Sequence, residues 1–193
     1  MVQSIPVLRE IMHALTFWKT ITMDHSNLLE GLISLLKEKG IRYCVIGGQA
    51  VNAYVEPLVS LDLDLAVAVD QLEEVEVLLQ RHFDLRRFPH SLNIGMPGSD
   101  LRIQIQTDER YSSFVEGATL QTVLGLTLPV ARVEDVLQGK IWAVMDPERS
   151  PYRMLRKGSK RQKDLADIAR ILEEYPDLRT RVPQEIRAHL LDD

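Results

Sequence analysis

Two glycines and two aspartates hold the most chemically suggestive spacing in the chain. Val45-Ile46-Gly47-Gly48 is followed by thirteen residues (49–61) and then Asp62-Leu63-Asp64-Leu65. Alternation along this second segment puts Leu61, Leu63, Leu65 and Val67 on one face of a strand, and Asp62, Asp64, Ala66 and Ala68 on the other. The two carboxylates then stand side by side, roughly 6–7 Å apart at the backbone. Two like charges that close are costly unless a cation lies between them. A divalent ion that prefers oxygen, Mg²⁺ or Mn²⁺, answers that need and keeps positions for phosphate oxygens. Gly47-Gly48 ends an apolar segment and opens a helix, so its amides can approach a ligand and the helix start favours an anion. A triphosphate on that turn would present its reacting phosphorus to a metal on Asp62 and Asp64, which is the arrangement of metal-assisted phosphoryl or nucleotidyl transfer. Either feature alone is commonplace: a glycine pair is usually a turn, and Asp-x-Asp is often an exposed strand face. Their order within one strand–helix–strand unit gives them meaning together.

The elements that must position these residues can be read in turn. Residues 4–21 carry a weak amphipathic pattern. Ser26 is placed to cap a helix through Lys39, with Leu28, Leu29, Leu32, Ile33, Leu35 and Leu36 inward and Gly40 ending it. Arg42–Ile46 predicts a buried strand, Gln49–Tyr54 a short helix, Leu61–Val69 an alternating strand and Gln71–His82 a helix. Ser91–Met96 and Leu101–Thr107 read as strands around the Pro97-Gly98 turn, and Leu124–Val130 as another strand. Val133–Met145 and Ser159–Tyr175 predict helices, and 183–190 a short last one. This order predicts an α/β (α+β) domain, a mixed β-sheet flanked by helices, with a helical C-terminal part. The expected division is an N-terminal helical appendage (1–22), a core (23–131) and a C-terminal helical region packed on it (132–193).

Bulk properties exclude several classes. A chain of 193 residues with 45% hydrophobic and 26% charged residues is long enough for a substantial core, and neither disordered nor fibrous. A net charge of −5 argues against a general nucleic-acid binder. No apolar run reaches membrane-spanning length, and the N-terminus lacks the pattern of a signal peptide, so no membrane partner is expected. One cysteine, Cys44, cannot form an internal disulfide, and a reducing, cytoplasmic compartment fits. Against the acidic balance stands a basic run with no acid in it: Arg149, Arg153, Arg156, Lys157, Lys160, Arg161 and Lys163. It reads either as a solvated loop and helix start or as a surface that holds a triphosphate or an RNA acceptor.

Residues 41–107 resemble the nucleotidyltransferase superfamily, the group of DNA polymerase β-like folds. Its signature is an apolar residue, Gly and then Gly or Ser, about a dozen residues, then Asp, an apolar residue, Asp or Glu, and another apolar residue. The chain looks closest to the small AbiEii-like and MNT-type nucleotidyltransferases of toxin–antitoxin systems. A looser resemblance covers Val133-Glu134-Asp135-Val136-Leu137 with Lys140, and then Lys160-Arg161-Gln162-Lys163-Asp164-Leu165-Ala166-Asp167. The resemblance implies transfer of a nucleoside monophosphate from an NTP to a hydroxyl of a protein, an RNA or a small molecule, with a divalent metal. It implies Gly47, Gly48, Lys140 and Lys160 at the nucleotide, and Asp164 near the site as a base or as an orienter of Lys140. It equally allows a catalytically impaired binding module that pairs with a toxin–antitoxin partner protein. The residues agree in part: Lys160, Asp164 and Asp167 share one helix face beside Leu165, Ile168, Ala169 and Leu172, although ion pairs on a solvated face would look the same. Trp142 is expected in the core.

The pattern also departs from the superfamily. A third carboxylate is usual on a neighbouring strand, and here that position holds Gln104 or Gln106, with Asp108 just past the strand end. An amide can ligate a metal but cannot take a proton from a hydroxyl. The Arg-x-Thr often found ahead of Asp-x-Asp is replaced by Leu58 and Ser60. Either Asp164 or another group substitutes, or the site binds without efficient transfer.

Overall fold

In a computed structural model, the described residues are 27–60, 62–145 and 157–190, together with Thr16. Apart from Thr16, the expected appendage lies outside them, as do Ser26, Leu61 and residues 146–156 with Arg149, Arg153 and Arg156.

Helix α1 (Leu28–Glu38) opens the described chain, and Asn27 occupies its N-cap with φ 54°. Strand β1 (Tyr43–Ile46) is buried along its whole length. The short helix α2 (Gly47–Val51) follows without a linker, beginning earlier and ending sooner than the expected Gln49–Tyr54. The reason is Gly47, whose φ of 67° turns the chain from strand to helix in one residue. Next come β2 (Asp62–Val67), α3 (Leu72–Gln80), β3 (Asp84–Phe88), β4 (Ser91–Gly95) and β5 (Arg102–Gln106). Helix α4 (Ser112–Glu116) leads to the hairpin β6 (Thr119–Val123) and β7 (Leu126–Val130). Helices α5 (Val133–Met145), α6 (Lys157–Glu174) and α7 (Gln184–Leu190) complete the chain.

The strands form one mixed sheet in the order β3-β4-β5-β2-β1-β7-β6. β2 runs antiparallel to β1 and parallel to β5, while β1 runs parallel to β7. The expected mixed sheet with flanking helices is thus the observed architecture. Two of its strands were not anticipated, β3 and β6, and both lie at the sheet edges. Asp84-Leu85-Arg86-Arg87-Phe88 buries none of its residues fully, and β6 buries only Val123, so neither shows the apolar period of a strand. Leu124, expected at the start of β7, belongs instead to a two-residue turn: Leu124 and Gly125 have φ of 54° and 78°.

The core lies where the site needs rigidity. Leu63 and Leu65 of β2 are 0% exposed, and each such buried side chain contributes about 1.5–3 kcal/mol. They fix the register that turns Asp62 and Asp64 to the opposite face. Helix α5 packs on α6, and both reach α2, so the C-terminal helices close over the glycine turn. No helix among the described residues is long and apolar enough to cross a membrane.

Candidate active site

The antiparallel pairing of β1 and β2 sets Asp64 opposite Ile46, one residue before the glycines. A Cβ on Gly47 would sit 2.2 Å from Asp64 Oδ2, so the carboxylate rests directly on the glycine backbone. Gly47 is therefore required twice, by its positive φ and by this approach. Gly47→Ala is expected to destabilise the fold by about 1–3 kcal/mol and to displace Asp64, read as a lower melting temperature and weakened metal binding. Gly48 lies near Ser60 Oγ and Lys163 Nζ, 3.6 and 3.9 Å from where its Cβ would be. The loop that carries Ser60 is braced to α2: Gln49 Nε2 donates to the Ser60 carbonyl at 3.0 Å, and Asn52 Nδ2 to that of Leu58 at 2.7 Å.

Asp64 is half-buried at the base of this turn. Burial pushes its pKa up; Lys160, Lys140 and Lys163 pull it down and Asp62 pushes it up, leaving it above the ordinary carboxylate value. Asp62 is more open, with half of its side chain exposed.

The neighbouring strand β5 supplies no acid. Gln104 stands in register with Asp64, Gln106 with Ala66 and Arg102 with Asp62. Arg102 Nη1 lies 3.9 Å from Asp62 Oδ1. Asp108 is occupied elsewhere: it accepts from the Arg110 amide at 3.0 Å and from the Arg110 guanidinium, which holds its carboxyl below the usual range. Among the described residues no group of three or more His, Cys, Asp or Glu is arranged to hold a metal. Two adjacent carboxylates, one of them desolvated against a glycine, nevertheless fit an ion such as Mg²⁺, which is held by one or two carboxylates together with phosphates and water.

The C-terminal helices contribute a buried ionic network. Lys140, only 7% exposed, places Nζ 2.8 Å from Asp164 Oδ1 and 2.7 Å from Asp167 Oδ2. Arg170 Nη1 meets Asp167 Oδ1 at 3.0 Å, and its Nη2 donates to the Glu56 carbonyl, tying α6 to the loop after α2. Burial presses the Lys140 ammonium towards a lower pKa, but Asp164 and then Asp167 outweigh it and hold the pKa above the ordinary value. Lys160 is exposed, and with Lys163 it faces the same cleft as Lys140 and Asp164.

This cleft, of about 1040 Å³, brings together Gly47, Gly48, Asp62, Asp64, Gln104, Gln106, Lys140, Lys160 and Asp164. Ser60 and Arg170 were not singled out from sequence as site residues, and Lys163 and Asp167 entered only through the basic run and the shared helix face. The available signal was the spacing of Lys160, Lys163, Asp164 and Asp167 over about two turns of helix, with Arg170 one turn on. Trp142 is half-buried and stacks on Phe114 with centroids 5.7 Å apart and an interplanar angle of 9°. Tyr111 and Phe114 of that aromatic group reach the cleft wall.

No family model and no curated protein matches the chain. Solved structures do. The antibiotic-resistance factor ANT(2'')-Ia, in complex with adenylyl-2''-tobramycin, superposes with a TM-score of 0.55 at 12% identity, over 85% of this chain and 95% of that one. An antigenic nucleotidyltransferase-like protein from Paracoccidioides brasiliensis gives 0.51 at 18% identity, over 90% of this chain and 85% of that one. The chain has the fold shared by these nucleotidyltransferase structures.

Proposed function

We propose that the chain is a metal-dependent nucleotidyltransferase that moves a nucleoside monophosphate from an NTP to a hydroxyl. One observation carries the reading: Asp62 and Asp64 stand beside the Gly47-Gly48 turn, with three lysines facing the same cleft. The fold neighbour in complex with adenylyl-2''-tobramycin supports this kind of transfer. Asp62 and Asp64 would hold Mg²⁺ or Mn²⁺, which when bound supplies positive charge to the phosphate oxygens. The glycine amides, Lys160 and Lys163 receive the triphosphate, and Lys140 adds a fixed charge behind it. Asp164 orients Lys140 rather than acting as a base, since its contact with that ammonium is short and buried. In the reaction the hydroxyl oxygen bonds to the α-phosphorus, the bond from that phosphorus to the β-phosphate oxygen breaks, and pyrophosphate leaves with the electron pair. The hydroxyl proton goes to water in the open cleft, because Gln104 cannot accept it.

A positioned base is worth about 10²–10⁴-fold, so turnover is expected to be slow. Gln104→Glu, nearly isosteric, should tighten Mn²⁺ binding and raise turnover on the order of 10²-fold, read by spin-resonance titration and pyrophosphate release. The proposal itself is tested by incubating the protein with each α-labelled NTP, Mn²⁺ and cell extract. Label transfer with pyrophosphate release, lost in Asp62→Asn, is expected; no transfer from any of the four would overturn it. The amide at position 104 favours one other reading, a nucleotide-binding regulatory module such as a toxin–antitoxin component. In that case nucleotide binds, no pyrophosphate is released, and a small partner protein co-purifies.

A further inference from the structure

The half of the cleft away from the glycines is a sheet floor with its own chemistry. Across the strands, Arg86 pairs with Asn93, Asn93 with Gln104 and Gln104 with Asp64. A second row runs Phe88, Ser91, Gln106 and Ala66. Residues in register share a face, and Arg86, Phe88, Asn93, Gln104 and Gln106 do line the cleft beside the two aspartates.

Two features of this floor point to a ligand. The first is an arginine on the floor without an ion-pair partner among the described residues. Arg87, on the opposite face of β3, is paired with Glu76 of α3. Arg86 has no ion pair among the described residues, and Arg102 has only the 3.9 Å contact with Asp62, one of the two carboxylates suited to a metal. Asp84 is the single acid that this outer half adds. The second is an aromatic ring in the open: Phe88 is 47% exposed on the edge strand. The cleft volume of 1040 Å³ also lies at the top of the range of about 300–1,000 Å³ for a single small ligand, which leaves room beside a nucleotide.

We propose that this floor is the acceptor subsite, and that its acceptor is a hydroxyl compound carrying a phosphate ester, held by Arg86. The inference rests on the transfer reading above. Three strand spacings put Arg86 about 14 Å from Asp64 at the backbone. That span suits a sugar ring with its hydroxyl at the reacting end, beside Asp62 and Arg102, and its phosphate under Arg86, whose forked donors match phosphate oxygens. The amides of Asn93, Gln104 and Gln106 suit sugar hydroxyls, and Phe88 offers a surface for a ring. A polycationic acceptor would meet two like charges here. A free sugar phosphate and the 3′-terminal nucleotide of an RNA share this chemistry.

The test titrates four probes by calorimetry, with and without Mn²⁺ and a non-hydrolysable ATP analogue: ribose 5-phosphate, ribose, a short single-stranded oligoribonucleotide with a 3′-hydroxyl, and tobramycin. Ribose 5-phosphate is expected to bind at least about tenfold more tightly than ribose, and Arg86→Met to remove that advantage. Arg87→Met, on the other face, should leave it in place. Preference for the oligoribonucleotide with the same Arg86 dependence would support the subsite and identify an RNA end as its source. Equal binding of ribose and ribose 5-phosphate with no oligoribonucleotide binding, an unaffected Arg86→Met, or tighter binding of tobramycin would each overturn it. If the ATP analogue fails to bind while ribose 5-phosphate binds through Arg86, the transfer reading falls and the phosphate subsite stands.

Discussion

Lys140→Met is expected to lower stability by about 3–5 kcal/mol, the cost of removing one partner from a buried ion pair. The ammonium has two carboxylate partners within 3 Å and is 7% exposed, so its loss leaves Asp164 and Asp167 desolvated, with Arg170 still paired to Asp167. At about 2–4 °C per kcal/mol for a chain of this size, the melting temperature should fall roughly 6–20 °C. Lys140→Met combined with Asp164→Asn should recover part of the loss, because the orphaned charge goes with it. The pH dependence follows from the direction of the shift. The folded-state pKa of Lys140 lies above its ordinary value. Its stabilisation is therefore fully present below the unfolded pKa of about 10.4 and is lost as pH rises through the higher folded value. Melting curves from pH 8 to 11 should show the wild type declining towards the variant.

Asp64→Asn is expected to act in two opposite directions. Burial holds the Asp64 pKa above the ordinary value, so its charge opposes folding once it ionises, and its contribution falls as pH rises from the unfolded pKa through the raised folded one. The isosteric amide removes that charge, so without metal the variant should melt at or above the wild-type temperature at neutral pH. Transfer should nevertheless drop about 10³-fold or more, since a metal's electrostatic help is worth several kcal/mol and each decade costs about 1.4 kcal/mol. Ligand-induced stabilisation, about 2.7 kcal/mol at a hundredfold excess over Kd, should vanish with it. A variant that is equally stable but inert separates a site residue from a structural one.

What could be read from sequence follows from how each feature is encoded. The strict alternation of Leu61–Val67 was enough to place Asp62 and Asp64 on one face, and the structure sets both at the cleft. The two Gln positions were legible as candidates, but only the register of β2 with β5 shows that Gln104 stands abreast of Asp64. The edge strand β3 was not legible, because a strand exposed at four of its five residues, as Asp84–Phe88 is, carries no apolar period. With it the outer half of the cleft was missed, since Arg86 and Phe88 reach the site only through three strand pairings. Lys140 and its partner Asp164 were marked by the resemblance, whereas the residues of the helix alone showed only that it packs. The burial of Lys140 between Asp164 and Asp167 depends on α5 meeting α6, a tertiary contact that no local pattern encodes.

Calorimetry decides whether Asp62 and Asp64 beside the Gly47-Gly48 turn form a metal–nucleotide site. ATP, GTP, CTP and UTP are titrated into the wild type and into Asp64→Asn, each with Mn²⁺ and with EDTA. At least one NTP should bind the wild type with Mn²⁺ and bind at least about tenfold more weakly with EDTA or in the variant. Binding of no NTP, or binding indifferent to both the metal and Asp64, would contradict such a site.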